Sequence, residues 1–505
     1  MAVMSRRSFL RSAAVLGIAA PQLRALTALA STPDRPPTTP PQSSLPDIQF
    51  AINDYIAPAQ TLQGISVRFP PIYTSFITFA LTRPLTHADQ ATLTRALDLI
   101  EQTYPFRPHG VFPCIGYGLP YFTQLPGGMA GPLVASYLPR LASDTTRFAL
   151  EEAKPSPTDV GGMPGATKQT FNIPVRIESH DMVVILRSDS PDILTDVIQY
   201  LTGDSTRLAG HHVGNSGLGE LLTTTSRRLM FIQQGLPRRI AETHQLPYAT
   251  RINPQSPMWM GFADQQTSGS GPPEITTCQG NRSARLTTAN LGDYFDNAAI
   301  MHLSHVIEDL TQFYARPDEP FTERVQYMFR SNPIASTGNP DQFTNGGGPA
   351  LLNNTFQGPQ DAAANAAGIN TYQGERRIGH LSALQRSSRA ADGTPIHIRA
   401  DGPGFDNLDV PDGSAQPKLH FCIFVPTAEF FTTLRRNQAS LDLQQANNVS
   451  PSDNGLERFI TATRRQNFLI PPRRHRAFPL LELAYPHPQP TNPRRKTTDH
   501  QGPPR

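Results

Sequence analysis

Residues 376–407 read RRIGHLSALQRSSRAADGTPIHIRADGPGFDN, and this stretch decides how the second half of the chain folds. Apolar residues at three-residue spacing predict a short helix that also carries His380. An Asp-Gly pair then predicts a turn, and the alternating I-H-I-R segment that ends at Arg399 predicts a strand. The stretch therefore predicts a helical histidine and a strand-end arginine folded back toward each other.

The same periodicities organise the rest of the chain. They predict strands over residues 74–81, 111–118, 182–187, 228–232, 298–307 and 419–425. They predict helices over residues 88–104, 190–200, 321–329, 428–434 and 456–463. Strand–helix–strand units with antiparallel returns are typical of an α+β fold made of ferredoxin-like lobes. We expect two such lobes, in residues 47–265 and 266–485.

Composition limits the classes of function. The chain has 505 residues, 50 of them proline, which predicts many loops around the core. The net charge of +3 has mixed sign, so a nucleic-acid partner is not expected. The three cysteines have no metal-type spacing, and their odd number leaves at least one outside any internal disulfide. A Pro/Ser/Thr linker over residues 31–46 and a polar tail over residues 486–505 are predicted to be disordered.

The N-terminus carries the clearest local signal. The sequence SRRSFLR starting at Ser5 precedes a mild apolar run, and a small-residue ALA site follows near residue 30. This pattern resembles a twin-arginine (Tat) signal peptide, predicted over residues 1–30. It implies export by the Tat translocase to a periplasmic or extracellular location. No later apolar run approaches 18 residues, so no membrane span is expected.

A second motif carries candidate chemistry. Residues 258–264 read MWMGFAD, and a Gly/Ser/Pro-rich loop follows Asp264. A carboxyl group projecting from such a site into an apolar pocket can hold and move a proton. The alternative is a turn or cap, which is the commoner role of an aspartate beside serine and glycine.

These segments together resemble dye-decolourising (DyP-type) haem peroxidases. The sequence GFAD before a Gly/Pro loop is similar to the G-x-x-D-G motif of that family. ADGTPIHIRADGPGFD resembles the family strand with the distal arginine, and KLHFCIFV resembles the buried strand after it. Residues 298–314 and 456–472 resemble two further elements of the second lobe. The resemblance implies two ferredoxin-like lobes of the dimeric α+β barrel type.

The resemblance assigns roles to three residues. Asp264 corresponds to the distal acid–base group, and Arg399 to the distal cation. His380 corresponds to the proximal iron ligand of haem b. His397 is the alternative ligand, because H-I-R also resembles the family sequence at that position. We favour His380, since it leaves Arg399 at the family distance downstream.

The sequence leaves the roles of several other positions open, and two positions depart from the family motifs. An oriented proximal imidazole usually has a carboxylate partner, for which Asp453 and Asn454 align about equally. Trp259, the only tryptophan, is either an electron relay or a core residue. Gln265 replaces the second glycine of G-x-x-D-G, and the predicted helix lacks the family's Asn-Pro-Arg after His380.

The resemblance implies a haem peroxidase that reduces hydrogen peroxide and oxidises a second, bulky aromatic electron donor. The alternative is a haem-binding or haem-free protein on the same scaffold without catalysis, which the two departures favour. Monomer and homo-oligomer are both open. No G-x-S-x-G, H-E-x-x-H or post-strand G-x-G-x-x-G motif supports another enzyme class.

Overall fold

The computed structural model describes the greater part of the chain between residues 45 and 484. The described residues are 45–58, 60–62, 65–151, 153–154, 168, 170–254, 256–260, 273–280, 286–315, 370–372, 375–377, 397–439, 448 and 456–484. Several sequence-based predictions lie outside them: the signal peptide, the helix over 321–329, the disordered tail, the lobe boundary at 265/266, and the site residues Asp264, His380, Asp453 and Asn454.

The first lobe is a ferredoxin-like β-α-β-β-α-β unit. Its elements are β1 (Tyr73–Leu81), α1 (His87–Thr103), β2 (Phe112–Tyr117), β3 (Met182–Ser188), α2 (Pro191–Leu201) and β4 (Leu222–Phe231). The strands are antiparallel in the order β2-β3-β1-β4. Helix α1 begins with a capping box between Thr86 and Asp89, and the hydroxyl of Ser190 caps α2 by accepting from the Ile193 amide.

The second lobe repeats this plan. Its elements are β5 (Ala299–Glu308), α3 (Leu310–Ala315), β6 (Ile398–Arg399), β7 (Gly402–Asp406), β8 (Gln416–Val425), α4 (Ala428–Ala439) and β9 (Ile460–Ile470). Both β6 and β7 pair with β8, and the order continues β8-β5-β9. The predicted α+β class with two ferredoxin-like lobes is therefore confirmed.

Shorter elements complete the description. Further helices span Leu119–Thr123, Pro132–Tyr137, Leu236–Thr243 and Leu481–Ala484. Two-stranded ribbons pair Gln60–Leu62 with Ile65–Val67, Arg207–Leu208 with His211–His212, and Asn370–Tyr372 with Glu375–Arg377. The strand Arg176–Ile177 runs parallel to β9. Within the described parts of the chain, no helix is both long and apolar enough to span a membrane.

The two lobes share one curved sheet. Strand β9 pairs with β5 along its length and meets β2 of the first lobe where Leu469 faces Tyr117. The far edges of the sheet also approach each other. A β-carbon at Gly404 of β7 would lie 3.2 Å from the Leu229 carbonyl oxygen of β4 and would overlap His420. The sheet therefore curls toward a barrel and encloses an interior.

That interior is filled from both lobes. One buried apolar cluster joins side chains of β1 to β5, β8 and β9. Its members include Phe76, Ile185, Met230, Met301, Phe424 and Phe468. Helices α1, α2 and α4 pack on the outer face of the sheet through a second and larger cluster. Strands β3 and β5 thus have two buried faces, which explains the continuous apolar run of β3.

The helix predicted over residues 456–463 is wrong. Glu457–Phe459 form a single 3₁₀ turn, and β9 begins at Ile460. Thr461 and Thr463 are β-branched and alternate with smaller or charged residues, which suits a strand. The partners of β9 on both sides then satisfy its backbone groups, so tertiary pairing outweighs the helix-like spacing of apolar residues.

Three other expectations are corrected or resolved. Glu375–Arg377 is a strand, so the first residues of the predicted helix around His380 are extended. The loop predicted over 331–372 ends in the strand Asn370–Tyr372. The three cysteines, Cys114, Cys278 and Cys422, are all buried free thiols and form no disulfide.

Gln49 ties the two lobes together where their backbone pairing is sparse. Its amide nitrogen donates to the carbonyl oxygens of Ile115 (3.1 Å) and Pro471 (2.7 Å). Its carbonyl oxygen accepts from the Ile115 amide at 2.9 Å. Gln49 is buried, so its removal leaves orphaned polar backbone groups.

We expect Gln49→Ala to lower the free energy of unfolding by about 2 kcal/mol, because buried groups lose their partners. Urea unfolding measures the change. Gln102→Ala is the matched control, since Gln102 is an exposed residue of α1. Equal losses in the two variants would contradict a bridging role for Gln49.

Candidate functional site

Arg399 faces the side of the second lobe that α4 covers. In β6 and the residue after it, Ile398 and Ala400 pack into the barrel interior. Alternation along a strand then directs His397 and Arg399 to the opposite face. The ring of His397 is stacked with Phe430 of α4, with ring centroids 6.0 Å apart. The predicted strand-end arginine therefore borders the space between the sheet and α4.

A row of cross-strand partners on the same face of the sheet contains three polar side chains and Ile423. Arg399 pairs with Ile423 of β8, Ile423 with His302 of β5, and His302 with Asn467 of β9. Two strand spacings put the backbones of Arg399 and His302 roughly 10 Å apart. The pairing register thus brings together residues that lie far apart in the sequence.

His302 is the centre of a buried hydrogen-bond network. Its Nε2 lies 2.6 Å from the hydroxyl of Ser304, and its Nδ1 lies 2.7 Å from Oδ1 of Asn467. Burial holds the pKa of the His302 imidazole well below its usual range. The ring is therefore neutral, with Nδ1 donating to Asn467 and Nε2 accepting from Ser304.

A pocket, here called the α4 pocket, opens beside this network. Apolar side chains form most of its walls: Val306, Leu419, Phe421, Phe431, Ile460 and Ala462. Lys168, Arg435 and Arg465 add three cationic groups, and Ser304 adds its hydroxyl. The guanidinium of Arg465 lies over the ring of Phe431, 5.5 Å from its centroid. The pocket thus combines apolar walls with positively charged groups.

One carboxylate lines this pocket. Glu457 binds Arg435 through two hydrogen bonds of 2.8 and 3.0 Å, and both side chains are buried. The ammonium group of Lys168 contacts the backbone carbonyl of Glu457. The bidentate geometry fixes the guanidinium plane of Arg435 at the pocket wall.

Glu308 is a proton-holding group that the motifs did not identify. It is the last residue of β5, two positions beyond Val306 of the α4 pocket, and it is buried. Burial raises the pKa of its carboxyl group to about 8, and the charge of Asp401 contributes to the rise. Glu308 is therefore protonated at neutral pH. Perturbed carboxyl groups of this kind are candidates for acid–base chemistry.

A separate charge cluster occupies the barrel interior. Asp406 lies 3.5 Å from Nε2 of His305, 3.7 Å from Nζ of Lys418 and 3.9 Å from Nε2 of His420. Burial alone would raise the pKa of Asp406, but these basic groups outweigh it and hold the pKa well below the usual range. Burial lowers the pKa of His420 to about 3 and that of Lys418 to about 8.

Neighbouring carboxylates extend this interior cluster. Asp409 accepts two hydrogen bonds of 2.6 Å from the guanidinium of Arg464. Glu178 pairs with Arg228 and, at 3.3 Å, with Arg464. The cluster joins β4, β5, β7, β8 and β9, so it supports the barrel and not the α4 pocket.

Trp259 belongs to the core. Its indole nitrogen donates to the carbonyl oxygen of Gly404 at 2.9 Å, and its ring packs against Phe231 and Phe405. The hydroxyl of Tyr314 donates to the Trp259 carbonyl oxygen at 2.7 Å. These bonds anchor the chain beside β7 only a few residues before Asp264.

The structure thus addresses the sequence-based site in part. It gives Arg399 and the alternative ligand His397 a common face, whereas Asp264 and His380 lie outside the described residues. The sequence analysis did not identify the network of His302, Ser304 and Asn467. The sequence feature that indicates it is the alternation of polar and apolar residues in β5, a strand that is buried on both faces.

These features define a class of protein. It is an α+β protein of two ferredoxin-like lobes that share a barrel-like interior. A cationic pocket lies between the sheet of the second lobe and helix α4. More particularly, the chain belongs to DUF7405, a family of unknown function whose model matches residues 148–472. No curated protein matches the chain.

Solved structures of DyP-type peroxidases match most of the chain. The enzyme from Cellulomonas bogoriensis is 13% identical with a TM-score of 0.45, covering 83% of this chain and 95% of its own. The dye-decolourising peroxidase from Bacteroides thetaiotaomicron is 12% identical with a TM-score of 0.43, covering 85% and 99%. A DypB variant from Rhodococcus jostii in complex with haem is 10% identical with a TM-score of 0.43, covering 81% and 96%. Similarity at this level assigns neither a cofactor nor a reaction.

Proposed function

We propose that the protein is a haem-dependent peroxidase of the DyP type. It would reduce hydrogen peroxide and oxidise a second, bulky aromatic electron donor. The observation that carries the proposal is the position of Arg399. The residue of the distal-arginine motif lies on the face of the second lobe that also bears the α4 pocket. The motif around Asp264 supplies the second, independent support.

The chemistry of the α4 pocket fits haem b. Its apolar walls suit the hydrocarbon part of the macrocycle, and its cationic groups suit the two propionate carboxylates. Lys168, which also contacts the Glu457 carbonyl oxygen, and Arg465 would bind these carboxylates, and Arg435 is held at the wall by its pair with Glu457. His380 would bind the iron, as the motif order implies. When bound, haem supplies the redox chemistry that peroxide reduction requires.

The protein residues would divide the remaining work. Asp264 would accept the proton of peroxide and deliver it to the departing oxygen. Arg399 would stabilise the negative charge that develops as the O–O bond splits. Both ring nitrogens of His302 already have partners, which supports a neutral, positioning role for this residue and not iron ligation.

We further propose that residues 1–30 direct export by the Tat translocase, which carries folded proteins. The support is the SRRSFLR sequence ahead of an apolar run. The site of action would be periplasmic or extracellular.

An absorption spectrum of the full chain, purified after growth with a haem precursor, tests the cofactor. We expect a Soret band that His380→Ala abolishes. His397→Ala is the matched control and should retain the band. Asp264→Asn and Arg399→Leu should also retain it, yet lower kcat/KM for peroxide by about 100-fold or more.

The other outcomes are equally informative. Loss of the band only in His397→Ala would move the ligand to that residue and remove Arg399 from its assigned role. A Soret band without peroxidase activity would favour a haem-binding protein that performs no catalysis. A folded protein without a Soret band would contradict the proposal and favour a haem-free relative.

A further inference from the structure

A second cavity lies inside the barrel, apart from the α4 pocket. We call it the Arg187 cavity. It is bounded by strands of both lobes and by the N-terminal segment that carries Gln49 and Phe50. Polar or sulfur-bearing groups reach it from Gln49, Thr74, Cys114, Arg187 and Cys422. It has room for about one water molecule or a small ion. Among the described residues that line it, none is acidic.

Arg187 places a positive charge in this cavity. It follows Ile185 along β3 by two residues, so its side chain points into the same interior. Its Nε is buried and has no hydrogen-bond partner among the described residues. Burial lowers the pKa of Arg187, but an arginine keeps its proton under ordinary conditions. The positive charge therefore persists on a side chain that is half-buried beside apolar groups.

The neighbouring groups do not neutralise this charge. The two groups that act on Arg187 electrostatically are the thiols of Cys114 and Cys422. Burial raises the pKa of Cys114 to about 12 and also raises that of Cys422, so both thiols stay uncharged. The side-chain amide of Gln49 already makes hydrogen bonds to the backbone of Ile115 and Pro471, and it carries no charge.

Thr74 offers a hydroxyl donor to the same space. It is the cross-strand partner of Arg187, so the two side chains share a face of the sheet. Its Oγ1 is buried and has no hydrogen-bond partner among the described residues. Arg473 and Arg476 add positive potential at the Cys114 wall. Two unsatisfied donors thus converge on one small volume.

A half-buried charge without a nearby counter-charge is unfavourable, and a bound counter-ion removes that penalty. We propose that Arg187 and Thr74 form a binding site for one small monovalent anion of the size of chloride or bromide. The guanidinium supplies the charge, and the threonine hydroxyl supplies a second hydrogen bond. The volume excludes phosphate, sulfate and larger carboxylates.

Unfolding of the full chain in chloride and in gluconate at constant ionic strength tests this site. Gluconate is too large for the cavity, and constant ionic strength removes general screening. At a chloride concentration 100 times Kd, the unfolding equilibrium constant of the wild type should fall about 100-fold. Arg187→Met should abolish this difference, and Thr74→Val should reduce it. Arg187→Lys, which keeps the charge, should retain part of it.

Equal chloride effects in the wild type and in Arg187→Met would overturn the site. Crystals grown in bromide give a second readout that does not need a stable variant. We expect one anomalous peak between Arg187 and the Thr74 hydroxyl. The absence of a peak there, in crystals that bind bromide elsewhere, would also overturn it. Neither measurement depends on haem or peroxidase activity.

Discussion

Asp406→Asn is expected to lower the free energy of unfolding by about 3–5 kcal/mol. The substitution keeps the shape of the side chain but removes the negative charge at the centre of the interior cluster. Lys418, His305 and His420 would then share a buried site without their nearest carboxylate. Removing one partner of a buried ion pair lowers the free energy of unfolding far more than removing one partner of an exposed pair.

Urea unfolding near pH 7 measures this loss. Asp412→Asn is the matched control, because Asp412 is an exposed aspartate of the loop that follows β7 and accepts hydrogen bonds from the amide and hydroxyl of Ser414. It should change the stability by less than about 1 kcal/mol. Similar losses in the two variants would mean that Asp406 does not hold the cluster together.

The second large effect concerns Glu308 and pH. The folded-state pKa of about 8 lies above the ordinary value of 4.5 for a glutamate carboxyl group. The folded protein therefore binds a proton that the unfolded chain releases between these values. Its contribution to stability is complete at low pH and is lost as pH rises through the folded-state pKa. The loss amounts to about 1.4 kcal/mol per pH unit in this window.

Glu308→Gln should remove that dependence. The amide has nearly the same shape as the protonated acid and cannot ionise. We expect the variant to gain stability over the wild type as pH rises from 6 to 9, measured by urea unfolding at each pH. Lys418 also titrates near pH 8, but it is present in both proteins and cancels in the difference.

Glu220→Gln is the control for this series, because Glu220 is exposed. Its stability difference from the wild type should not vary with pH above 6. A constant difference for Glu308→Gln as well would show that Glu308 ionises normally in the folded protein.

Most of the fold could be predicted because the strands carry strong local signals. Runs such as Met182–Ser188 and Gln416–Val425 are rich in β-branched and aromatic residues and stand between clear turns. The 460–470 strand could not be predicted in this way. Its conformation depends on partners that lie more than a hundred residues away, in β5 and β2.

The site was less accessible to sequence reasoning. Arg399 was identified from a motif, and its strand is observed. The contact of His302 with Asn467 joins residues 165 positions apart, so only the pairing register reveals it. The raised pKa of Glu308 likewise follows from burial, which the order of residues does not encode. Contacts and pKa shifts that arise from tertiary packing cannot be predicted from the sequence before the fold is known.

The shared barrel interior has a consequence for inheritance and engineering. Each lobe supplies part of the same apolar core, so either lobe produced alone would expose its share to water. The two ferredoxin-like units therefore form one shared core and are not separable modules. Exchange of one lobe alone would leave the other lobe's interior side chains without their packing partners.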